Sequence, residues 1–100
     1  MKAIQQNSGA EVVCIVETGA WVEKQGVSSG KVIAMNFGGT LKTSFGSAKL
    51  VYALHTNSTP EGDYAGVPAG YVWNIGDKKV YFAGDTALTM EMQLLADEKL

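Results

Sequence analysis

One hundred residues suffice for one small domain or for part of a larger one. Charged residues make up 18% of the chain against about 25% in typical soluble domains, so we expect other polypeptide to cover part of its surface. The net charge of −2 is spread over interspersed acidic and basic residues without a basic run, which argues against nucleic acids and anionic membranes as partners.

The expected location follows from three further features. No segment contains the ~20 consecutive apolar residues that cross a bilayer, and the start of the sequence lacks a charged and then apolar secretion signal. The single cysteine, Cys14, cannot form an internal disulfide. These features predict a cytoplasmic protein without a membrane segment.

A helix and then a buried strand open the chain. Residues 2–9 are typical of the end of a helix that Gly9 closes. Such a short helix is not stable alone in water, so we expect it to begin upstream of the printed sequence. Residues 11–16 form a continuous apolar stretch, which is typical of a strand covered on both faces in an α/β sheet.

The next predicted elements are a short helix and a second strand. Thr18 has the side chain of a helix N-cap, residues 20–24 form the helix body, and Gly26 is its expected end. Residues 31–35 are largely apolar and predict a second buried strand. An order of strand, helix and strand is typical of an α/β fold.

From residue 36 onward, short strands alternate with turns. The predicted strands cover residues 40–44, 49–54, 71–75 and 79–82. Glycine-rich turns separate the first three of these from their neighbours, and Gly76 with Asp77 makes a hairpin of the last two. The second strand leads to His55 and the fourth leads to Asp85.

Two longer segments complete the predicted elements. Residues 56–68 contain two prolines and two glycines, and this connection is longer than usual, which makes it a candidate functional loop. Residues 88–100 predict a helix with Leu88, Met92 and Leu95 on one face. No glycine or proline ends this helix, so we expect it to continue beyond the printed sequence.

His55 and Asp85 are the candidate metal-ligating residues. A single histidine after a strand is more often structural or exposed than a ligand, and Gly-Asp-Thr is a common turn out of a strand. Together, however, they follow two strands of one sheet, whose ends can meet at one edge. Imidazole nitrogen and carboxylate oxygen suit zinc, manganese or iron, and a carboxylate can bridge two cations about 3.5–4 Å apart. Two ligands are still fewer than the three that hold a catalytic zinc.

The flanking sequence resembles the metallo-β-lactamase superfamily, and in particular the bacterial metal-dependent hydrolases related to ascorbate-phosphate lactonase. Order and spacing match in five segments, at residues 8–13, 35–40, 53–55, 66–72 and 81–86. The resemblance implies that His55 ligates a metal and that Asp85 bridges two ions, zinc or manganese. It also implies an α/β (α+β) fold that is part of an αββα sandwich, with a mixed sheet and short flanking helices.

The chain departs from this family in ways that matter for the metal site. The family's H-x-H-x-D-H motif would lie upstream and its last ligand histidine downstream, and the chain has one histidine in all. Phe82 stands where relatives often have histidine, and Ala87 where they often have glycine. We therefore interpret residues 1–100 as a central fragment of a larger domain, inactive alone unless another chain completes the site, and metal binding by the chain itself is left open.

The leading functional hypothesis is a fragment of a metal-dependent hydrolase. By the resemblance, a metal-bound hydroxide would attack an ester, lactone or phosphoester bond of a small-molecule substrate. Thr86 and the loop at residues 56–68 are expected to orient ligands or line the pocket, while the catalytic acid is unknown. Homo-oligomerisation, or association with the missing segments, is expected because a half sandwich exposes apolar surface and strand edges.

Three other interpretations compete with this hypothesis. The rival hypothesis is a non-catalytic β-rich interaction module that self-associates through open strand edges. A thiol nucleophile at Cys14 is disfavoured, because this cysteine lies within an apolar strand, where cysteine acts as a small hydrophobic residue. The Asp-Thr of retroviral aspartic proteases occurs early in their chains, whereas only fifteen residues follow Asp85 here, so that topology does not fit.

Overall fold

Two parallel strands joined by a helix characterise the first of two units in the computed structural model, which describes residues 1–100. This unit comprises Met1–Asn36 and Asn57–Gly66. Its elements are helix α1 at Lys2–Ser8, strand β1 at Val12–Ile15, helix α2 at Val16–Lys24, a 3-10 turn at Ser29–Lys31 and strand β2 at Val32–Met35. The predicted order of strand, helix and strand is confirmed.

Helix α2 packs against this parallel pair. β1 and β2 are in register from Val12 beside Val32 to Ile15 beside Met35. A methyl group added at Gly19 of α2 would lie 3.1 Å from the Val32 side chain, so the helix lies close to the strand at this glycine. Val22 of the same helix is 1% exposed. Val22 and the buried residues of the neighbouring strands form the core of the first unit.

The prediction that Thr18 caps α2 is wrong. The helix begins at Val16, and Ile15 in the N-cap position has an extended backbone and makes no side-chain capping bond. Thr18 lies inside the first turn, where its hydroxyl donates to the carbonyl of Ala65 at 3.3 Å. The hydroxyl therefore holds the helix to the Asn57–Gly66 segment of the same unit.

Asn57–Gly66, most of the predicted functional loop, is ordered by its own hydrogen bonds. The Gly62 amide donates to the Thr59 carbonyl at 2.9 Å, and the Thr59 amide donates to the Asp63 carbonyl at 2.8 Å. The Ala65 amide reaches the Asn57 carbonyl at 3.1 Å. The segment is thus a closed loop belonging to the first unit, and its expected role in lining a pocket stays a prediction.

Four antiparallel strands form the second unit, which comprises Phe37–Thr56 and Val67–Leu100. The strands are β3 at Thr40–Thr43, β4 at Gly46–Tyr52, β5 at Ala69–Ile75 and β6 at Lys78–Phe82. Each strand pairs with its sequence neighbour in the order β3, β4, β5, β6, which includes the predicted hairpin of the last two strands. Together with the parallel pair, this sheet confirms the predicted mixed α+β content. Neither unit contains a helix with the length and apolarity of a membrane span.

The centre of this sheet is its best buried part. Ala48 and Leu50 of β4 are both 0% exposed, and their partners across the ladder are Trp73 and Tyr71 of β5. The two aromatic rings stack with centroids 5.8 Å apart, and Phe45 also stacks with Trp73, at 5.9 Å. Cross-strand aromatic and aliphatic pairs of this kind stabilise a sheet and fix its register.

The C-terminal helix differs from the prediction in type and length. It is a 3-10 helix at Met90–Glu98, and Leu88 lies outside it with 88% of its surface exposed. A 3-10 helix places every third residue on one face. Met92, Leu95 and Glu98 share that spacing, and all three line a cavity of about 300 Å³ together with Tyr81 and other residues of the sheet.

Glu98 ties this helix to the sheet. Its carboxylate accepts a hydrogen bond from the Lys49 ammonium at 2.6 Å and a longer one from Lys79 at 3.4 Å. The bond from Lys49 holds the pKa of the Glu98 carboxyl below its ordinary value of 4.5, and Lys79 adds to this effect. A lowered pKa means that folding favours the charged carboxylate.

Replacing Glu98 by glutamine is expected to lower the free energy of unfolding at pH 7 by less than about 1 kcal/mol. Because the pKa is lowered on folding, the contribution of Glu98 is complete well above pH 4.5 and is lost as the pH falls through the lowered value. Urea unfolding at pH 7 and at about pH 3 measures the difference between the variant and the wild type. Glu91→Gln, at an exposed position of the same helix, is the control. A difference for Glu98→Gln that is as large at low pH as at pH 7 would contradict this account.

Candidate functional site

The two strands that lead to His55 and Asp85 end at the same edge of the second sheet. β4 and β6 are both antiparallel to β5, which lies between them, so they run in the same direction. Their last residues, Tyr52 and Phe82, therefore lie towards one edge, on strands that are two strand spacings, about 10 Å, apart. The predicted meeting of the two strand ends at one edge is present.

Beyond this edge, the two chain segments come into direct contact. The Leu54 amide donates to the Thr86 hydroxyl at 2.9 Å, and the Ala87 amide donates to the Leu54 carbonyl at 3.0 Å. His55 directly follows Leu54, and Asp85 directly precedes Thr86. The structure thus brings together the segments that carry both predicted ligands.

His55 has one ring nitrogen engaged and one available. It lies in an exposed bend, and its Nδ1 is 2.8 Å from the carbonyl oxygen of Thr56. A carbonyl oxygen can only accept, so Nδ1 is the donor in this contact, and in that tautomer the lone pair lies on Nε2. Hydrogen bonding of one imidazole nitrogen to a carbonyl is how metal-ligating histidines are commonly oriented.

Two glycines, Gly84 after the end of β6 and Gly70 on β5, determine the position of Asp85. Gly84 directly before it adopts a positive φ of 63°, which turns the chain out of β6 and leaves Asp85 in an exposed bend. On β5, a methyl group added at Gly70 would lie 2.9 Å from the Phe82 carbonyl oxygen and 3.2 Å from that of Ala83. The end of β6 therefore approaches β5 more closely than a side chain at residue 70 would allow.

Gly70 is a residue whose role the sequence analysis missed. Its only sequence signal is a glycine at the start of an otherwise aromatic and β-branched strand, a pattern that often marks close approach of another backbone. Phe82, at the position where the resemblance leads us to expect histidine, is 64% exposed at the end of β6. Ala87 contributes through its backbone amide, a contact that does not require a particular side chain.

The donor set of this site is one imidazole and one carboxylate. Both suit a divalent transition metal, and the protonated Nδ1 of His55 leaves the correct nitrogen for coordination. No group of three or more histidine, cysteine, aspartate or glutamate side chains in the structure is placed to hold a metal ion. One imidazole and one carboxylate are fewer than the three protein ligands that normally hold a catalytic zinc.

Cys14, the alternative nucleophile, lies in the first unit and is 6% exposed. Burial raises the pKa of its thiol, and the Glu23 carboxylate raises it further. A raised pKa keeps the thiol protonated at neutral pH, whereas the thiolate is the nucleophile. Cys14 is accordingly a core residue of the β1 and β2 pair, as its apolar surroundings in the sequence predict.

Comparison with curated proteins identifies relatives over nearly the whole chain, although no protein-family model matches it. A protein from Christiangramia forsetii named UPF0173 metal-dependent hydrolase is 44% identical over 94 residues, which are 94% of this chain and 40% of the relative. Relatives of the same name from Deinococcus radiodurans and Thermus thermophilus are 37% and 42% identical over 93% and 89% of this chain, and 40% and 38% of their own lengths. The resemblance to bacterial metal-dependent hydrolases is confirmed, and the chain spans about two fifths of the length of these relatives.

Proposed function

We propose that this chain is part of a metal-dependent hydrolase of the UPF0173 type and that His55 and Asp85 are two of its metal ligands. The observation that carries the proposal is the contact between the two ligand-bearing segments, in which Leu54 bonds to both Thr86 and Ala87. The second support is the name shared by relatives that match over nearly the whole chain.

The two residues have different proposed roles. His55 would hold one ion through Nε2 while Thr56 orients its ring, and Asp85 would provide its exposed carboxylate as a ligand shared by two ions. Zinc and manganese both accept this donor set. A divalent ion bound here would supply Lewis-acid activation of water and of the bond to be hydrolysed. The proposed substrate is a small molecule with an ester, lactone or phosphoester bond.

Further polypeptide must complete this site, as part of the same hydrolase or as a second copy of the chain. Three residues of one sheet face in the second unit support such association, since Ile75, Val80 and Phe82 are 48%, 50% and 64% exposed. β6 is also an edge strand with unpaired backbone groups. A reducing, cytoplasmic location is part of the proposal, which the unpaired Cys14 supports.

Zinc titration of the chain by calorimetry tests the proposal. We expect saturable binding by the wild type, and a loss of affinity of more than about tenfold in both His55→Ala and Asp85→Ala, because each removes a first ligand of the same ion. Asp77→Ala is a matched control, since Asp77 is an exposed carboxylate in the turn between β5 and β6. Wild-type affinity in either ligand variant, or a loss in Asp77→Ala of the same size, would refute the assignment.

The second candidate function is a non-catalytic interaction module. The exposed apolar residues of β5 and β6 favour it, because a contiguous apolar patch marks an association surface in many proteins. The zinc titration also distinguishes the two candidate functions. A purely structural module is expected to bind no zinc through His55, and alanine at positions 55 and 85 would then change nothing that calorimetry measures.

A further inference from the structure

We infer that Thr86 is a positioning residue for the metal site, and this inference rests on the proposed function. The Thr86 hydroxyl connects the segment that carries His55 with the segment that carries Asp85. It accepts from the Leu54 amide at 2.9 Å and donates its own proton to the Ala87 carbonyl at 2.9 Å. Thr86 does not ligate the metal in this account; it fixes the separation of the two residues that do.

The direction of the Thr86 hydroxyl is defined by these two bonds. A hydroxyl has one proton, and the Ala87 carbonyl accepts it, so a lone pair is directed at the Leu54 amide. The Ala87 amide closes the contact by donating to the Leu54 carbonyl at 3.0 Å. Both backbone groups of Leu54 are thus bound to the segment after Asp85.

This contact lies outside the regular ladder of the sheet. β4 ends at Tyr52 and β6 at Phe82, so the strands themselves do not hold residues 54 and 85–87. Without the hydroxyl, one backbone bond between Ala87 and Leu54 would remain. His55 and Asp85 are each one residue from the contact, so an added freedom there is transmitted directly to the ligand atoms.

The affinity of a site for its metal ion depends on how firmly the ligand residues are held in place. Ligand distances are defined to within about 0.2 Å, and loss of a group that orients a ligand typically lowers metal affinity by about 10–100-fold. Valine has the shape of threonine without the hydroxyl, and serine keeps the hydroxyl without the methyl group. Comparison of Thr86→Val with Thr86→Ser therefore separates the hydrogen bonds from the packing of the side chain.

A control is available at a similar residue far from the site. Thr43 also accepts a backbone bond through its hydroxyl, from the Phe45 amide at 3.4 Å. It pairs with Gly46, and the opposite end of β4 at Tyr52 lies about 20 Å away along the strand. Thr43→Val removes a comparable bond from the same unit without touching the contact between the two ligand segments.

The experiment combines zinc calorimetry with amide hydrogen exchange on the 100-residue chain. In Thr86→Val we expect zinc affinity to fall by about 10–100-fold and the Leu54 amide to exchange roughly fivefold faster, as loss of one hydrogen bond implies. Thr86→Ser is expected to match the wild type in both measurements, and Thr43→Val is expected to match it in zinc affinity. Unchanged exchange in β4 and β5 establishes that each variant is folded.

Failure of this inference is distinguishable from failure of the proposed function. Wild-type zinc affinity in Thr86→Val, with His55→Ala still defective, would overturn the role of Thr86 alone. Absence of His55-dependent zinc binding in the wild type would overturn the part of the proposed function that assigns His55 and Asp85 as ligands this chain holds by itself. In that case the hydrogen-exchange rate of the Leu54 amide still tests the role of Thr86. An unchanged rate in Thr86→Val would show that the hydroxyl does not hold the two segments together.

Discussion

Replacing Gly46 by alanine is expected to lower the free energy of unfolding of the four-stranded sheet by at least about 3 kcal/mol. Gly46 begins β4 with a φ of 150°, a backbone conformation that residues other than glycine rarely adopt. A methyl group at this position would overlap the carbonyl oxygen of Asn74. Asn74 lies on β5, where it pairs with Ser47, so relief of the overlap requires the two central strands to separate.

Gly76→Ala is the matched comparison for this prediction. Gly76 also has a positive φ, of 63°, in the turn between β5 and β6, but a methyl group there would meet nothing within 4 Å. Gly76→Ala is therefore expected to lower the free energy of unfolding by only about 1–2 kcal/mol, because the unfavourable backbone conformation is its only cost. Urea unfolding followed by fluorescence measures both, in a Trp21→Phe background where Trp73 alone reports on the sheet. Equal losses for the two glycines would show that the overlap at Gly46 is relieved without cost.

Replacing Leu50 by alanine is expected to lower the free energy of unfolding of the four-stranded sheet by about 3 kcal/mol. Leu50 is 0% exposed and is one of the two largest fully buried side chains of the protein. Truncation removes its buried methyl groups and leaves a cavity in the centre of the sheet, next to its cross-strand partner Tyr71. Small domains are stable by only about 5–15 kcal/mol, so this single change removes a large share of the total.

Val51→Ala provides the control for Leu50→Ala. Val51 is the next residue of β4, is half-buried, and faces the opposite side of the sheet. We expect Val51→Ala to lower the free energy of unfolding by about 1 kcal/mol, because this change removes fewer buried carbon atoms than Leu50→Ala does. The same fluorescence measurement applies, with the Trp73 signal as the reporter. A loss at Leu50 no larger than the loss at Val51 would mean that the centre of the sheet repacks around the deletion.

The strands of this fold were predictable because their sequence signals are local. Apolar stretches bounded by glycine, asparagine and aspartate predict β1 and the four strands of the meander, and hairpin order then makes each strand pair with its neighbour. The meeting of the segments that carry His55 and Asp85 follows from the same pattern. Two strands separated by a single antiparallel strand run in one direction and must end at one edge.

Other features depend on contacts between distant residues and could not be predicted. The Thr86 hydroxyl bonds to an amide thirty-two positions earlier, and nothing in the local sequence distinguishes that role from capping a turn. Gly70 is required by the carbonyls of Phe82 and Ala83, which lie at the end of β6 and directly after it. Thr18 was expected to cap α2, but β1 passes directly into the helix and the hydroxyl bonds to Ala65 instead.

The C-terminal helix shows how one sequence can satisfy two periods. Leu88, Met92 and Leu95 fit the α-helical spacing, while Met92, Leu95 and Glu98 fit the spacing of three that a 3-10 helix requires. The structure has the second arrangement, in which Glu98 reaches Lys49 and Lys79 of the sheet. These ion pairs join residues that are far apart in sequence, and no local pattern indicates them.

The central claim, that His55 and Asp85 bind one metal ion, is tested most directly by nitrogen NMR of the single histidine. Because the chain has one histidine, labelled His55 gives two assignable ring signals, and its Nδ1 is already hydrogen-bonded to Thr56. We predict that zinc shifts the Nε2 signal of the wild type and leaves Nδ1 protonated, and that Asp85→Ala needs at least about tenfold more zinc for the same shift. A shift of Nε2 at the same zinc concentration in Asp85→Ala, or no shift of Nε2 in the wild type, would contradict the claim.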